Sequence, residues 1–260
     1  MSSMTTEKVY LYGKNPLKEA ILASKRDVVF YIEKLYLTKQ AEENSEIMSL
    51  VQSNKLTYEI VTSQEIESFV GRDVVHQGVC ALLYEKSLYR SLDEVIEKSK
   101  TKDGDSVFVL IDRLQDPHNV GAIIRSAVAF GADAVLLPDH EQALLSGTVI
   151  KTSSGMNFAI PVVKIGNVNT TLEKLKENRF WTYGLTGDGD TTLHTTIFDS
   201  NAVIVIGSEG SGIREKTLEL CDFKLSISTD PLCESLNASN ASAVVLYEWR
   251  KQQIKSKGNS

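Results

Sequence analysis

The order of apolar and polar positions divides the chain into two patterned regions joined by a charged stretch. In residues 8–84, short apolar runs alternate with helical spacing. Tyr10-Leu11-Tyr12-Gly13 leads into a helix with Leu17, Ala20, Ile21 and Leu22, and Leu35-Tyr36-Leu37 reads as a short strand. Ile47, Leu50 and Val51 mark a second helix, residues 58–61 and 79–83 two further strands, and residues 72–78 a polar loop between them. This region is predicted to be a small α/β unit over 1–85. Residues 86–105 are rich in Lys, Asp and Glu and end in Asp103-Gly104, which predicts a linker with a short amphipathic helix. From residue 106 the pattern changes. Val107-Phe108-Val109-Leu110-Ile111 is a continuous apolar run, as a strand buried on both faces requires. A helix over 119–130 follows, with Val120, Ile123, Ile124, Ala127 and Val128 on one side. Further apolar runs at 134–137, 180–185 and 202–206 alternate with helices, and a last helix starts near Ala238. Such alternation predicts a parallel sheet covered by helices over 106–260.

Composition narrows the class. The chain has 260 residues, 42% hydrophobic and 24% charged, ordinary for a globular protein of one large or two modest domains. Its formal net charge is −6, which argues against a uniformly basic nucleic-acid binder. The charge is uneven, however. Lys8, Lys14, Lys18, Lys25, Arg26, Lys34 and Lys39 cluster near the start, and Arg250, Lys251, Lys255 and Lys257 near the end. Local basic zones on an acidic chain can meet phosphate, although each is also readable as a solvated face. The cysteines Cys80, Cys221 and Cys233 are odd in number and form no C-x-x-C pair, and the histidines make no ligand pattern. No disulfide framework and no metal site are expected, which fits a reducing, cytoplasmic setting. No run reaches the roughly 18 apolar residues of a membrane span.

Chemistry is expected in loops beyond the carboxyl ends of the strands. The first candidate is the run from Asp112 to Ala127, where Asn119 lies at a helix start and Arg125 off the apolar stripe. Arg125 can hold phosphate through paired hydrogen bonds, or be a surface charge; Asn119 can be a site residue or a cap. The second is Ile206-Gly207-Ser208-Glu209-Gly210-Ser211-Gly212-Ile213-Arg214, where glycines let a ligand approach the backbone beside the carboxylate of Glu209. Its glycine order is neither the dinucleotide fingerprint nor a Walker loop. The third is Leu225-Ser226-Ile227-Ser228 followed by Ser235-Leu236-Asn237, where Ser235 and Asn237 can be site residues or caps of the last helix.

Taken together, these three loops resemble the SpoU (TrmH-like) branch of the SPOUT superfamily. The matching pieces are Asp116-Pro117-His118-Asn119-Val120-Gly121 with Arg125, then Ile206-Gly207-Ser208-Glu209-Gly210, then Ser235-Leu236-Asn237, in the family's order. Tyr12-Gly13 and His76-Gln77-Gly78-Val79 resemble the family's N-terminal RNA-binding domain. Two segments depart from the family pattern: Ile227-Ser228-Thr229 replaces Ile-Pro-Met, and Ala238-Ser239-Asn240-Ala241 replaces Val-Ser-Val-Ala.

The resemblance implies an S-adenosyl-L-methionine-dependent RNA methyltransferase acting on a ribose 2′-hydroxyl, closest to the enzymes that modify a guanosine of large-subunit rRNA. A tRNA methyltransferase, a non-catalytic RNA-binding protein on the same fold and a Rossmann-type enzyme are the alternatives. It implies a trefoil-knotted SPOUT catalytic domain, a small N-terminal α/β RNA-binding domain and a homodimer that completes the site. Arg125 would activate the hydroxyl or position a phosphate, with Asn119, Glu209, Ser235 and Asn237 orienting the ribose. Gly187, Gly207, Ile227 and Leu236 would contact the cofactor. Gly13, Lys14, His76 and Gln77 would contact RNA.

Overall fold

The structure, a computed structural model, describes residues 7–23, 32–198, 200–208, 210–233 and 235–258. Glu209 and the basic residues Lys25 and Arg26 lie outside the described residues. Along the chain the first elements are β1 (Lys8–Tyr12), α1 (Lys14–Ala23), β2 (Ile32–Leu37), α2 (Lys39–Glu42), α3 (Ser45–Ser53), β3 (Glu59–Ile60), α4 (Ser63–Val70) and β4 (Val79–Tyr84). Then come α5 (Leu92–Lys100), β5 (Val107–Ile111), α6 (Pro117–Ala129), β6 (Ala134–Pro138), α7 (Gly147–Thr152), β7 (Val162–Ile165) and α8 (Val168–Glu177). The chain continues through β8 (Trp181–Leu185), β9 (Thr191–Thr192), β10 (Ala202–Ile206), α9 (Glu215–Leu220), β11 (Phe223–Ser226) and α10 (Ala238–Gly258).

These elements form two compact units. One holds residues up to Tyr89 together with Leu145–Ala159; the other holds Arg90–Leu144 and residues from Ile160 onward.

The first unit is built on a 4-stranded sheet in the order β1-β4-β2-β3. β4 is antiparallel to both neighbours and is buried from Val79 to Leu83. Local sequence sets the helix starts. Thr38, Asn44 and Thr62 cap α2, α3 and α4, and Thr62 with Glu65 makes a reciprocal capping box. The segment 145–159 joins this unit through α7. Gly147 lies so close to β1 that a side-chain carbon there would come within 2.4 Å of the Tyr10 carbonyl. The Leu145 N–H donates to the hydroxyl of the half-buried Tyr89 at 2.9 Å.

The second unit is a 7-stranded parallel sheet, ordered β7-β6-β5-β10-β8-β11-β9. The apolar runs of β5, β6 and β10 are its fully buried central strands, because a parallel sheet covered on both faces leaves no polar-facing side. The charged stretch after residue 86 holds α5, whose Val95 and Ile96 join the core of Phe108, Leu110, Leu136, Val163, Leu172 and Val205. The strand β7, at one edge of the sheet, carries an exposed Lys164 amid apolar residues. A charge there suits an edge strand and hides it from a search for continuous apolar runs. Successive strands run outward from β5 on one side, while β10, β8 and β11 lie on the other. The order therefore reverses between β5 and β10.

Candidate active site

A crevice lies at the carboxyl ends of β8, β10 and β11, and ligands of open α/β sheets bind beyond the carboxyl ends of the strands. A cavity of about 220 Å³ lies there. The segments 185–187, 206–208, 227–229 and 235–241 reach it, with Gly212. Leu185, Ile206, Ile227, Leu236, Ala238 and Ala241 give it an apolar lining, and Thr186, Ser208, Thr229 and Ser235 supply hydroxyls. No charged side chain of the described residues lines it. An apolar slot edged with backbone groups and hydroxyls suits a nucleoside better than a phosphate chain.

Each wall has a local cause. The loop after β10 turns back on itself, with Ser208 and Gly212 exchanging backbone hydrogen bonds of 3.1 and 3.0 Å. Gly212 adopts φ +63°, and any side chain on Gly207 would meet the Gly212 carbonyl carbon and the Ile213 nitrogen at 2.2 Å. Beneath this loop Asp112, fully buried at the end of β5, receives the Arg214 N–H at 3.2 Å, its Nε at 3.1 Å and its Nη2 at 2.5 Å. This pair holds the Arg214 guanidinium above its ordinary pKa, through the hydrogen bond to Asp112. Arg113, at φ +61°, donates to the Gly212 carbonyl at 3.5 Å. On the opposite wall, Thr186 N–H donates to the Leu225 carbonyl at 2.9 Å. The Thr186 hydroxyl donates to Asp188 at 2.6 Å and holds that carboxyl below the usual carboxylate range. A side-chain carbon on Gly189 would lie 2.4 Å from the Lys224 carbonyl, which keeps the 186–192 turn close against β11.

The structure brings Gly187, Gly207, Ile227, Leu236 and Ser235 together around this one cavity. Asn237 stands beside them, and its Oδ1 accepts from the Ser239 N–H at 2.8 Å and the Ser239 hydroxyl at 2.6 Å, so it caps α10. Asn119 and Arg125 do not line the cavity. Asn119 is buried on the first turns of α6 and donates to Asp116 at 2.8 Å, beside the Asp116 cap of that helix. Arg125 is exposed, with no hydrogen bond or ion pair to any described residue. In the other unit, Gly13 (φ +96°), Lys14 and Gln77 (φ +57°) converge, with Gln77 Oε1 accepting from the Lys14 N–H at 3.2 Å. His76 is half-buried, and its Nδ1 accepts from the Gly78 N–H at 3.0 Å. Asp112 and Arg214 went unassigned in the sequence. The signal was present, an acid directly after a buried strand and a cation directly after the glycine loop, but nothing local pairs residues 102 positions apart.

No group of His, Cys, Asp or Glu among the described residues is arranged to hold a metal ion, and no described helix is long and apolar enough to cross a membrane.

A parallel sheet with a nucleoside-sized crevice at its carboxyl end, lined by no charged side chain of the described residues, together with a separate small α/β unit, points to an enzyme acting with a nucleoside cofactor. Residues 106–247 match the SpoU rRNA Methylase family, and residues 10–88 match the RNA 2′-O ribose methyltransferase substrate-binding family. A protein of Staphylococcus haemolyticus assigned to the TrmH family of tRNA/rRNA methyltransferases is 33% identical over 251 residues, spanning 95% of this chain and 97% of its own. A Staphylococcus epidermidis relative so assigned is 34% identical, with the same coverage. The fold is shared with the SpoU methyltransferase AviRb of Streptomyces viridochromogenes, solved with AdoMet. Its TM-score is 0.81 at 23% identity, over 95% of this chain and 91% of that one. An AdoMet-bound rRNA methyltransferase of Sinorhizobium meliloti superposes with a TM-score of 0.73 at 22% identity, over 95% and 88%. The chain belongs to the SpoU (TrmH-like) family of RNA ribose 2′-O-methyltransferases, whose members use S-adenosylmethionine.

Proposed function

We propose that this protein methylates the ribose 2′-hydroxyl of a guanosine in large-subunit rRNA, acting in the cytoplasm as a homodimer with a trefoil-knotted catalytic domain. The observation that carries the reading is the single cavity into which Gly187, Gly207, Ile227 and Leu236 converge from separate loops. Those are the positions at which the family resemblance puts cofactor contacts. The residues fit the group: an apolar slot for an adenine, backbone amides and carbonyls at its edge, and hydroxyls within reach. Bound there, S-adenosyl-L-methionine supplies an electrophilic methyl group.

The chain's own residues then position the target ribose. Ser235 offers a hydroxyl at the cavity, and Asn119, Glu209 and Asn237 complete the orienting set. Arg125 serves through the positive charge of its guanidinium rather than as a base. It lowers the cost of the alkoxide by electrostatic attraction, or grips the neighbouring phosphate. Arg125 lies outside the lining of the cavity, so on this reading the homodimer completes the site. Val244 and Tyr247, partly exposed on α10, supply apolar surface for such an interface. Holding oxygen and methyl in line contributes several kcal/mol.

The test is methyl transfer from radiolabelled S-adenosylmethionine to unmodified large-subunit rRNA and, separately, to bulk tRNA, with an Arg125→Ala variant alongside. Label in a 2′-O-methylguanosine of rRNA, lost in the variant, is expected. Label in tRNA alone overturns the substrate and keeps the chemistry. No label in either, with no cofactor binding, leaves a non-catalytic RNA-binding protein.

A further inference from the structure

Lys151 is a lysine that the reaction described above does not use. It falls inside the sequence matched to the methylase family, yet it packs in the substrate-binding unit, at the end of α7. Its ammonium donates to Gln77 Oε1 at 3.2 Å and has no carboxylate partner among the described residues. A neutral amide uses one of its three protons and leaves the charge uncompensated. Burial lowers the pKa of Lys151, and no neighbouring charge opposes that shift. A partly buried cation without a counter-ion is costly unless something anionic completes its surroundings.

The same spot is built to keep that cation in place. Gly13 is left-handed, and a side-chain carbon on it would sit 2.5 Å from Lys151 Nζ and 3.2 Å from Gln77 Oε1. The empty flank of Gly13 is therefore the seat of the lysine. Gln77 accepts from both Lys151 and the first backbone N–H of α1, which fixes the ammonium beside that helix start. The first turn of α1 carries no acid, and the Lys14 side chain there has no partner among the described residues. Lys151 from α7 and the start of α1, which carries Lys14, thus meet at Gln77 from separate stretches of chain, with no carboxylate bonded to either lysine among the described residues. The chemistry that compensates these two ammonium charges is an oxyanion carried on a flexible polymer.

We propose that Lys151, with Lys14 on the neighbouring first turn of α1, forms a binding site for one backbone phosphate of the substrate RNA. It follows that the substrate-binding surface includes a residue from within the methylase sequence. The proposal rests on the reading of the protein as an RNA methyltransferase.

The experiment measures binding of the full chain to an in vitro transcript of large-subunit rRNA, over a range of KCl concentrations, for wild type, Lys151→Gln, Lys151→Arg and Lys55→Gln. Glutamine removes the charge and keeps an N–H donor on a stem one bond shorter; Lys55 is an exposed lysine of the same unit with no contact to Gln77 or Gly13. One lost phosphate contact lowers the slope of log affinity against log salt by about 0.7–0.9, and weakens binding roughly five- to tenfold near 0.1 M salt. That loss is expected for Lys151→Gln. Lys151→Arg is expected to keep the wild-type slope, Lys55→Gln to match wild type, and cofactor affinity to be unchanged throughout. A Lys151→Gln slope and affinity equal to those of wild type overturn the phosphate site and leave the enzyme reading standing. A slope change with Lys55→Gln as large as with Lys151→Gln also overturns it, because the effect is then one of overall charge. Absence of RNA binding and methyl transfer by the wild type itself overturns both.

Discussion

Removing the Arg214 guanidinium tests whether the wall of the cavity depends on a buried ion pair. Asp112 is fully buried, and Arg214 holds it with two side-chain nitrogens in addition to a backbone N–H. Truncating one member of a buried pair costs about 3–5 kcal/mol, because the other charge is stranded. The Arg214 side chain is 42% exposed, so water reaches the carboxylate once the guanidinium is gone. The Arg214 backbone N–H also remains bonded to Asp112 at 3.2 Å. Screening and this residual bond reduce the cost to about 2 kcal/mol. For a protein of this size, 1 kcal/mol shifts Tm by roughly 2–4 °C, so Arg214→Ala is expected to melt about 4–8 °C below wild type. Arg214 closes the loop whose Gly207, Ser208 and Gly212 line the cavity. The variant is therefore also expected to lose cofactor affinity. Arg214→Lys keeps the charge without the two-pronged geometry and should fall between the two. Calorimetric melting with and without S-adenosylmethionine reads both effects. A Tm within about 1 °C of wild type, with unchanged cofactor affinity, would show that Asp112 is accommodated without its arginine and would refute the reasoning.

Three further outcomes follow from particular contacts. Gly207→Ala puts a carbon 2.2 Å from backbone atoms that no side-chain motion can clear, so cofactor affinity should fall about tenfold or more, the equivalent of 1–3 kcal/mol of overpacking; titration calorimetry checks it, and unchanged affinity would mean the loop is freely deformable. Burial pushes the Cys80 and Cys221 thiols up to about 12, whereas Cys233 is exposed; a maleimide at pH 7.5 should label Cys233 alone in the native protein and all three cysteines after denaturation. Cys233 donates to the Ser235 carbonyl at 3.4 Å, so saturating cofactor should slow that labelling. Glu65 accepts from the Thr62 backbone N–H at 2.7 Å and its hydroxyl at 2.9 Å, which holds its carboxyl below the ordinary value. The group's contribution to stability is thus fully present above the unfolded carboxylate pKa, near 4.3, and lost as pH falls through the lower folded value. Glu65→Gln should flatten the acid limb of the stability curve in that window, and an identical limb would sink the assignment.

Much of the molecule was determined by the sequence alone. The runs at 107–111, 134–137 and 202–206 report burial on both faces, and only a covered parallel sheet asks for that. The start of α10 at Ala238 is marked by Asn237, a side chain that competes for backbone N–H groups. The family resemblance rests on short motifs whose residue types are local as well. Tertiary structure decided what periodicity cannot carry. Strand order alone brings the turns after β8, β10 and β11 to one crevice, because neighbours in the sheet are not neighbours in the chain. The same applies to Asp112 and Arg214, joined only because β5 lies beside β10. It applies equally to residues 145–159, which no local pattern assigns to one core or the other. The close approach of Gly147 to the Tyr10 carbonyl settles that question. Local patterns fix how a segment folds; the contacts that make a site are set by long-range packing, which leaves no period in the sequence.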